Sequence, residues 1–240
     1  MNVQRFPDLD AVSRAAADDF ATLARTAVGE RGVFHVALAG GSTPKRLYEL
    51  LAKRGRSELP WDEIVLWFGD ERPVPPNHPD SNYGMAKAAL IGPLGLTSVN
   101  RMQGEREPER AAVEYDTLLR DRLGDPPELD LVLAGMGPDG HTLSLFPGSP
   151  ALRETTKLAV ANPVSSPLTK GPTTRITLTP RAVGNARHVR FLVGGADKAE
   201  ALVAVLEGPH DPERYPSQLI TGADVQWFVD LAAAQRLKAA

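Results

Sequence analysis

Of the five histidines in the chain, His141 has the neighbours most suited to chemistry. It ends the run Gly135-Met136-Gly137-Pro138-Asp139-Gly140-His141, so an imidazole able to take up a proton near neutral pH lies two residues from a carboxylate. Asp139 can orient or polarise that ring, as a general base acting on water requires; a turn aspartate bonding its own backbone is the other reading. A short helix is expected from His141 to Phe146, its positive end favouring neutral imidazole. His35 lies in an apolar run and reads as core, His188 opens a strand, His210 sits in a charged loop and His78 is ambiguous. No two histidines have the spacing of metal ligands on a helix, so no metal site is expected.

Other groupings add charge and turns. Gly40-Gly41-Ser42-Thr43-Pro44 places a glycine turn before a helix start, where free N–H groups and the helix dipole favour an anion. A tight strand-to-helix turn with an ordinary Ser42 or Thr43 cap is the alternative. The glycine-lysine-hydroxyl ending of a P-loop is missing, which speaks against a nucleoside triphosphate. Asp70-Glu71-Arg72 sets three ionic residues in a row, more than solubility demands, and a role toward substrate is expected. Gly135 to Gly140 matches GxGxxG, yet Pro147 and Gly148 cut the following helix to about two turns and Pro138 lacks an N–H, so NAD binding is not expected. The serine elbow GxSxG occurs nowhere, which leaves direct attack by water as the economical route.

The elements that must hold these residues can be read from periodicity. Residues 8–28 carry Val12, Ala15, Ala16, Phe20, Leu23 and Ala27 at helical spacing, with Asp8 as N-cap and Gly29 as the stop. Residues 33–39, 64–68, 129–134 and 188–193 are apolar runs, each ending in glycine and polar residues, as strands buried on both faces do. Alternation with helices predicts an α/β fold with a mostly parallel, Rossmann-like sheet flanked by helices, whose ligands gather beyond the carboxyl ends of the strands. Thr173 to Thr179 alternates instead, with Arg175, Thr177 and Thr179 on one polar face. Residues 70–82 and 162–172 read as surface loops able to cover a site. One domain over residues 1–240 is expected, with a smaller α/β lobe after about residue 150.

Composition narrows the classes. Cysteine is absent, excluding thiol nucleophiles, thiolate metal sites and disulfides, and fitting a reducing compartment. No segment approaches the ~20 apolar residues of a membrane span and the first residues lack a signal-peptide pattern, so a cytoplasmic location is expected. A net charge of -3 gives no general pull toward nucleic acid or anionic membrane, so neither is expected as a partner and an anionic ligand needs local cations.

Five segments stand in one order: Gly40-Gly41-Ser42-Thr43-Pro44; Phe68-Gly69-Asp70-Glu71-Arg72; Ser81-Asn82-Tyr83; Gly135-x-Gly137-x-Asp139-Gly140-His141-Thr142-x-Ser144-Leu145-Phe146-Pro147-Gly148; and Gly195-Ala196-Asp197-Lys198. Singly each is weak, but the ordered set closely resembles the 6-phosphogluconolactonases, which share one α/β fold with the glucosamine-6-phosphate deaminases. The resemblance implies hydrolysis of 6-phosphogluconolactone in the pentose phosphate pathway, without a cofactor, by a monomer acting on a small sugar phosphate. It implies that His141 is the catalytic base, with Asp139 its companion. It further implies that Gly40, Gly41, Ser42, Thr43, Asp70, Arg72, Asn82, Gly137, Arg175 and Lys198 bind substrate, Arg175 by the loosest match. Leu143 stands where the family pattern has alanine.

On that reading the phosphate anchors on Lys198 and Arg175, helped by the glycine turn, while Arg72 or backbone N–H groups meet the oxyanion. The deaminase relatives carry asparagine-glutamate-proline after the histidine and tyrosine after the aspartate-glutamate pair. Here Leu145-Phe146-Pro147 and Arg72 stand in those places, which favours the lactonase. A deaminase-like isomerase, a non-catalytic sugar-phosphate sensor and, last, a dehydrogenase are the alternatives.

Overall fold

The computed structural model describes residues 2–169 and 171–238. Among these residues there are nine strands, β1 (Asn2–Phe6), β2 (Phe34–Leu38), β3 (Ile64–Phe68), β4 (Asp70–Glu71), β5 (Leu131–Ala134), β6 (Ala159–Val164), β7 (Thr173–Leu178), β8 (His188–Val193) and β9 (Asp224–Asp230). The helices are α1 (Leu9–Arg31), α2 (Ser42–Arg54), α3 (Asn82–Ala86), α4 (Gly92–Leu94), α5 (Pro108–Leu123), α6 (Pro180–Gly184) and α7 (Ala199–Glu207).

Six strands form a parallel sheet in the order β1-β9-β8-β5-β2-β3. The four glycine-ended runs are its contiguous part, β8, β5, β2 and β3, so their carboxyl ends share one rim. These strands are mostly apolar because both faces are covered. Phe20 of α1 meets Phe34 of β2 edge-on, with ring centroids 5.4 Å apart, and Phe191 of β8 stacks on Trp227 of β9 at 3.7 Å. Helix α1 packs along α2 and reaches β8 and β9, where buried Arg190 ties the layers by bonding Asp19 of α1 at 2.7 Å and Asp224 of β9 at 2.8 Å.

A second, antiparallel sheet runs β4-β7-β6, with Asp70 opposite Thr177 and Asn162 opposite Arg175. Gly69 joins the two sheets: its N–H donates to the Leu38 carbonyl of the parallel sheet and its own carbonyl accepts from Leu178 of β7. The small sheet, with α5 packed against β6 and β7, draws on β4 and α5 from before residue 150, so it does not follow the boundary near residue 150 expected for a smaller lobe. The chain then returns to the parallel sheet with β8 and β9.

Several local readings change. Helix α1 runs through Gly29 to Arg31, because Gly32 takes the left-handed conformation (φ 75°) and returns its N–H to the Val28 carbonyl. Gly41, not Ser42 or Thr43, is the N-cap of α2, and no side chain caps it. Residues 162–164 belong to β6 and residues 70–71 to β4, so the loops are shorter than the composition suggests. The polar face expected over Thr173 to Thr179 looks inward at its end: Thr177 of β7 and Thr179, the N-cap of α6, are fully buried. Among the described residues no helix is long and apolar enough to cross a membrane.

Candidate active site

At the rim of the parallel sheet lies a cavity of about 300 Å³. Each strand ending there contributes to the wall: Gly40 and Gly41 after β2, Asp70 and Arg72 at and beyond β4, Gly137 and His141 after β5, and Lys198 after β8. Arg175 reaches the same cavity from β7 of the small sheet. Thus residues from both sheets line it, and most residues implied by the sequence meet there. Asp139, Asn82, Ser42 and Thr43 do not line it. Asp139 and Asn82 stand directly behind lining groups, while Ser42 and Thr43 form the first turn of α2 beyond Gly41.

The expected helix from His141 to Phe146 does not form. Turns take its place, closed by the Gly137 N–H on the His141 carbonyl (2.8 Å) and a bridge between Thr142 and Leu145. The reason is tertiary. Ser144 is bound from three sides: its hydroxyl donates to Asp70 at 2.6 Å, its N–H to Thr177 at 3.2 Å, and its carbonyl accepts from Asn162 at 2.8 Å. To reach these partners Leu143 adopts φ 53°, a left-handed conformation that costs a branched side chain about 1–3 kcal/mol. The Leu143 side chain fills the space over Gly69, where a Cβ would stand 2.7 Å from it.

With no helix dipole at His141, a carboxylate governs the ring instead. Nδ1 of His141 lies 2.5 Å from Oδ1 of Asp139, which also accepts the His141 N–H at 3.1 Å. Both readings of Asp139, ring partner and turn former, are therefore present at once. Burial alone would raise the Asp139 carboxyl, but the hydrogen bond and charge of His141 outweigh it and hold it below the ordinary carboxylate value. A Cβ at Gly137 would come within 2.1 Å of Nδ1, so the imidazole occupies the space that any other residue there would need.

The cations are held unequally. Lys198 pairs with Asp197 at 2.5 Å, whereas the Nε atoms of Arg72 and Arg175 are buried without a hydrogen-bond partner among the described residues. Burial and the neighbouring Arg72 charge lower the Arg175 pKa. Arg72 spends one Nη1 donor on the Asp80 carbonyl at 2.6 Å, and the remaining donors of two guanidinium groups lining one cavity make a seat for an anion. Arg72 is set by its backbone, whose N–H donates to Glu71 at 2.8 Å. Glu71 is buried, which pushes its carboxyl up, although it also accepts the N–H groups of Asn82 and Tyr83 and the Ser81 hydroxyl. Asn82 donates to Asp70, and a Cβ on Gly40 would strike its side chain at 1.9 Å. Among the described residues no group of three His, Asp or Glu side chains is arranged to hold a metal.

Sequence reading missed the groups that brace this arrangement. Ser217 is buried, and both its N–H (3.0 Å) and its hydroxyl (2.8 Å) donate to the Gly140 carbonyl. The Tyr215 ring covers Gly140, and the Glu213 carbonyl accepts the Gly148 N–H, so one segment before β9 clamps both ends of the histidine loop. The Phe146 ring lies on the His141 imidazole. No spacing signal marks the contacts of this segment, because they join positions more than 60 residues apart.

A family profile described as "Glucosamine-6-phosphate isomerases/6-phosphogluconolactonase" matches residues 7–229. The 6-phosphogluconolactonase of Synechocystis is 38% identical over 221 residues, covering 88% of each chain. That of Mycobacterium tuberculosis is 35% identical over 98% of each chain. Among solved structures, 6-phosphogluconolactonase from Trypanosoma cruzi superposes with a TM-score of 0.88 at 27% identity, over 99% of this chain and 97% of that one. With two sheets, a histidine loop and paired arginines arranged as above, the chain belongs to the glucosamine-6-phosphate isomerase/6-phosphogluconolactonase family.

Proposed function

We propose that the chain hydrolyses 6-phospho-D-glucono-1,5-lactone to 6-phospho-D-gluconate, with His141 as general base and then general acid. The observation that carries this reading is the Asp139–His141 pair facing, across one cavity, two arginines with unspent donors. Asp139 occupies Nδ1, which leaves Nε2 to take a proton from water. The hydroxyl oxygen then bonds to the lactone carbonyl carbon, and its former π electrons pass to the carbonyl oxygen. When that tetrahedral centre collapses, the bond to the ring oxygen breaks and imidazolium returns the proton to it. Arg72 meets the oxyanion, while Arg175, Lys198 and the turn at Gly40 and Gly41 hold the phosphate; Asp70, with Ser144 and Asn82 fixing it, is left for a sugar hydroxyl. Charge-assisted bonds of this type contribute roughly 1.5–3 kcal/mol each, enough to position a small ring for attack.

The same reading makes the chain a single-domain, monomeric enzyme of the cytoplasm that needs no cofactor. Its test is lactone hydrolysis followed by acid release against the spontaneous background. His141→Ala is expected to lower turnover by about 10²–10⁴, the usual share of acid–base catalysis, with KM little changed. Turnover at the wild-type rate in that variant would remove His141 from the role.

A further inference from the structure

The imidazole of His141 and the ring of Phe146 lie face to face, with centroids 4.2 Å apart and planes 18° from parallel. Phe146 is buried and borders the same cavity. Rotation of a histidine ring about its second side-chain torsion is broad, so rotamer preference alone does not fix the plane of the imidazole. The bond from Nδ1 to Asp139 fixes one edge but leaves the ring free to rock about that contact. The backbone at Gly137 closes the space beside Nδ1 and Cε1, and the phenyl face closes the remaining freedom.

Resting on the reading of His141 as the base, we propose that Phe146 is a positioning residue that sets the imidazole plane and steadies the positive charge this ring acquires in mid-reaction. The phenyl face carries the negative part of the aromatic quadrupole, so it attracts imidazolium more than neutral imidazole. Such help is needed here. From β7 and from the segments after β4 and β8, Arg175, Arg72 and Lys198 all face the cavity and oppose a further positive charge. Asp70 of β4 and Asp139 of the histidine loop favour it. Phe146 adds to the favourable side without placing another carboxylate where an anionic substrate must bind.

The test compares Phe146→Leu, which keeps a buried apolar side chain and removes the π face, with Phe146→Tyr, which keeps the ring. In Phe146→Leu, kcat is expected to fall about three- to fivefold with KM unchanged. The acid limb of the kcat/KM profile should move to lower pH by roughly half a unit, since the protonated ring has lost a stabilising contact. Phe146→Tyr should restore both. A variant that merely folds less well would lose active fraction and leave the limb in place, so a drop in kcat with an unmoved limb overturns the proposal, as does a wild-type profile in Phe146→Leu. His141→Ala, assayed alongside, separates the two readings: if it is inactive while Phe146→Leu behaves as wild type, only the role of Phe146 fails.

Discussion

Asp139 links the sequence pattern to the chemistry at the scale of single residues. Its place two residues before His141 was legible from spacing, but spacing left open whether it served the turn or the ring, and its one oxygen serves both. Asp139→Asn separates the roles, because an amide oxygen still accepts the backbone N–H while the negative charge is gone. We expect kcat to fall by at least about tenfold, up to the roughly 10²–10⁴ that acid–base help supplies, with KM nearly constant. The acid limb of the profile should move to lower pH as imidazolium loses its counter-charge; a variant with full activity would make Asp139 a turn residue only. Gly137 shows what the sequence withheld. Its family position implies substrate contact, and the structure adds that the imidazole fills the place of its missing side chain. Steric demands of that kind are written in the partner, not in the glycine.

At the scale of elements, the strands that could be read were those whose environment is uniform. β2, β3, β5 and β8 are covered on both faces, so a mostly apolar run and a glycine stop identify them, even with His35 in β2 and His188 and Arg190 in β8. β1 is a half-exposed edge strand, β9 opens with polar residues, and β6 contains Pro163, so none of the three shows a clear period. The helix expected after His141 failed for a different reason: partners on Asp70, Thr177 and Asn162 hold Ser144 more firmly than one turn of helix would. Burial of charge between elements gives a further prediction. Arg190 is 2% exposed and is the cation that joins α1 to β9. Arg190→Met should cost about 2–3 kcal/mol in urea unfolding, below the usual figure for breaking a fully buried pair because Asp19 and Asp224 keep contact with water. Adding Asp19→Asn should recover part of that loss, since the stranded charge is then removed; no loss in the single variant would mean that packing, not charge, joins the layers.

For the whole molecule, the parallel sheet has a chemical rim and an opposite, structural one. His35 stands toward the latter, at the second position of β2, where its Nδ1 accepts the Trp67 indole N–H at 3.3 Å. Burial lowers its pKa below the ordinary 6.5, against the pull of nearby Asp130. The unfolded chain therefore takes up a proton that the folded chain refuses, so this contribution to stability is complete above about pH 6.5 and is lost as pH falls toward the folded value. We expect unfolding free energy to decline across that window by at most about 1.4 kcal/mol per pH unit from this group, and His35→Phe to flatten the decline. Equal slopes in both proteins would assign the effect elsewhere. The topology also sets a timetable for the nascent chain. β1 finds its partner only in β9, with Asn2 beside Gln226 and Phe6 beside Asp230, and β4 waits for β7 about a hundred residues downstream. A ribosome translating this message has thus threaded out β1 more than two hundred residues before the strand that shelters it exists, and over that interval β1 stays an unpaired edge.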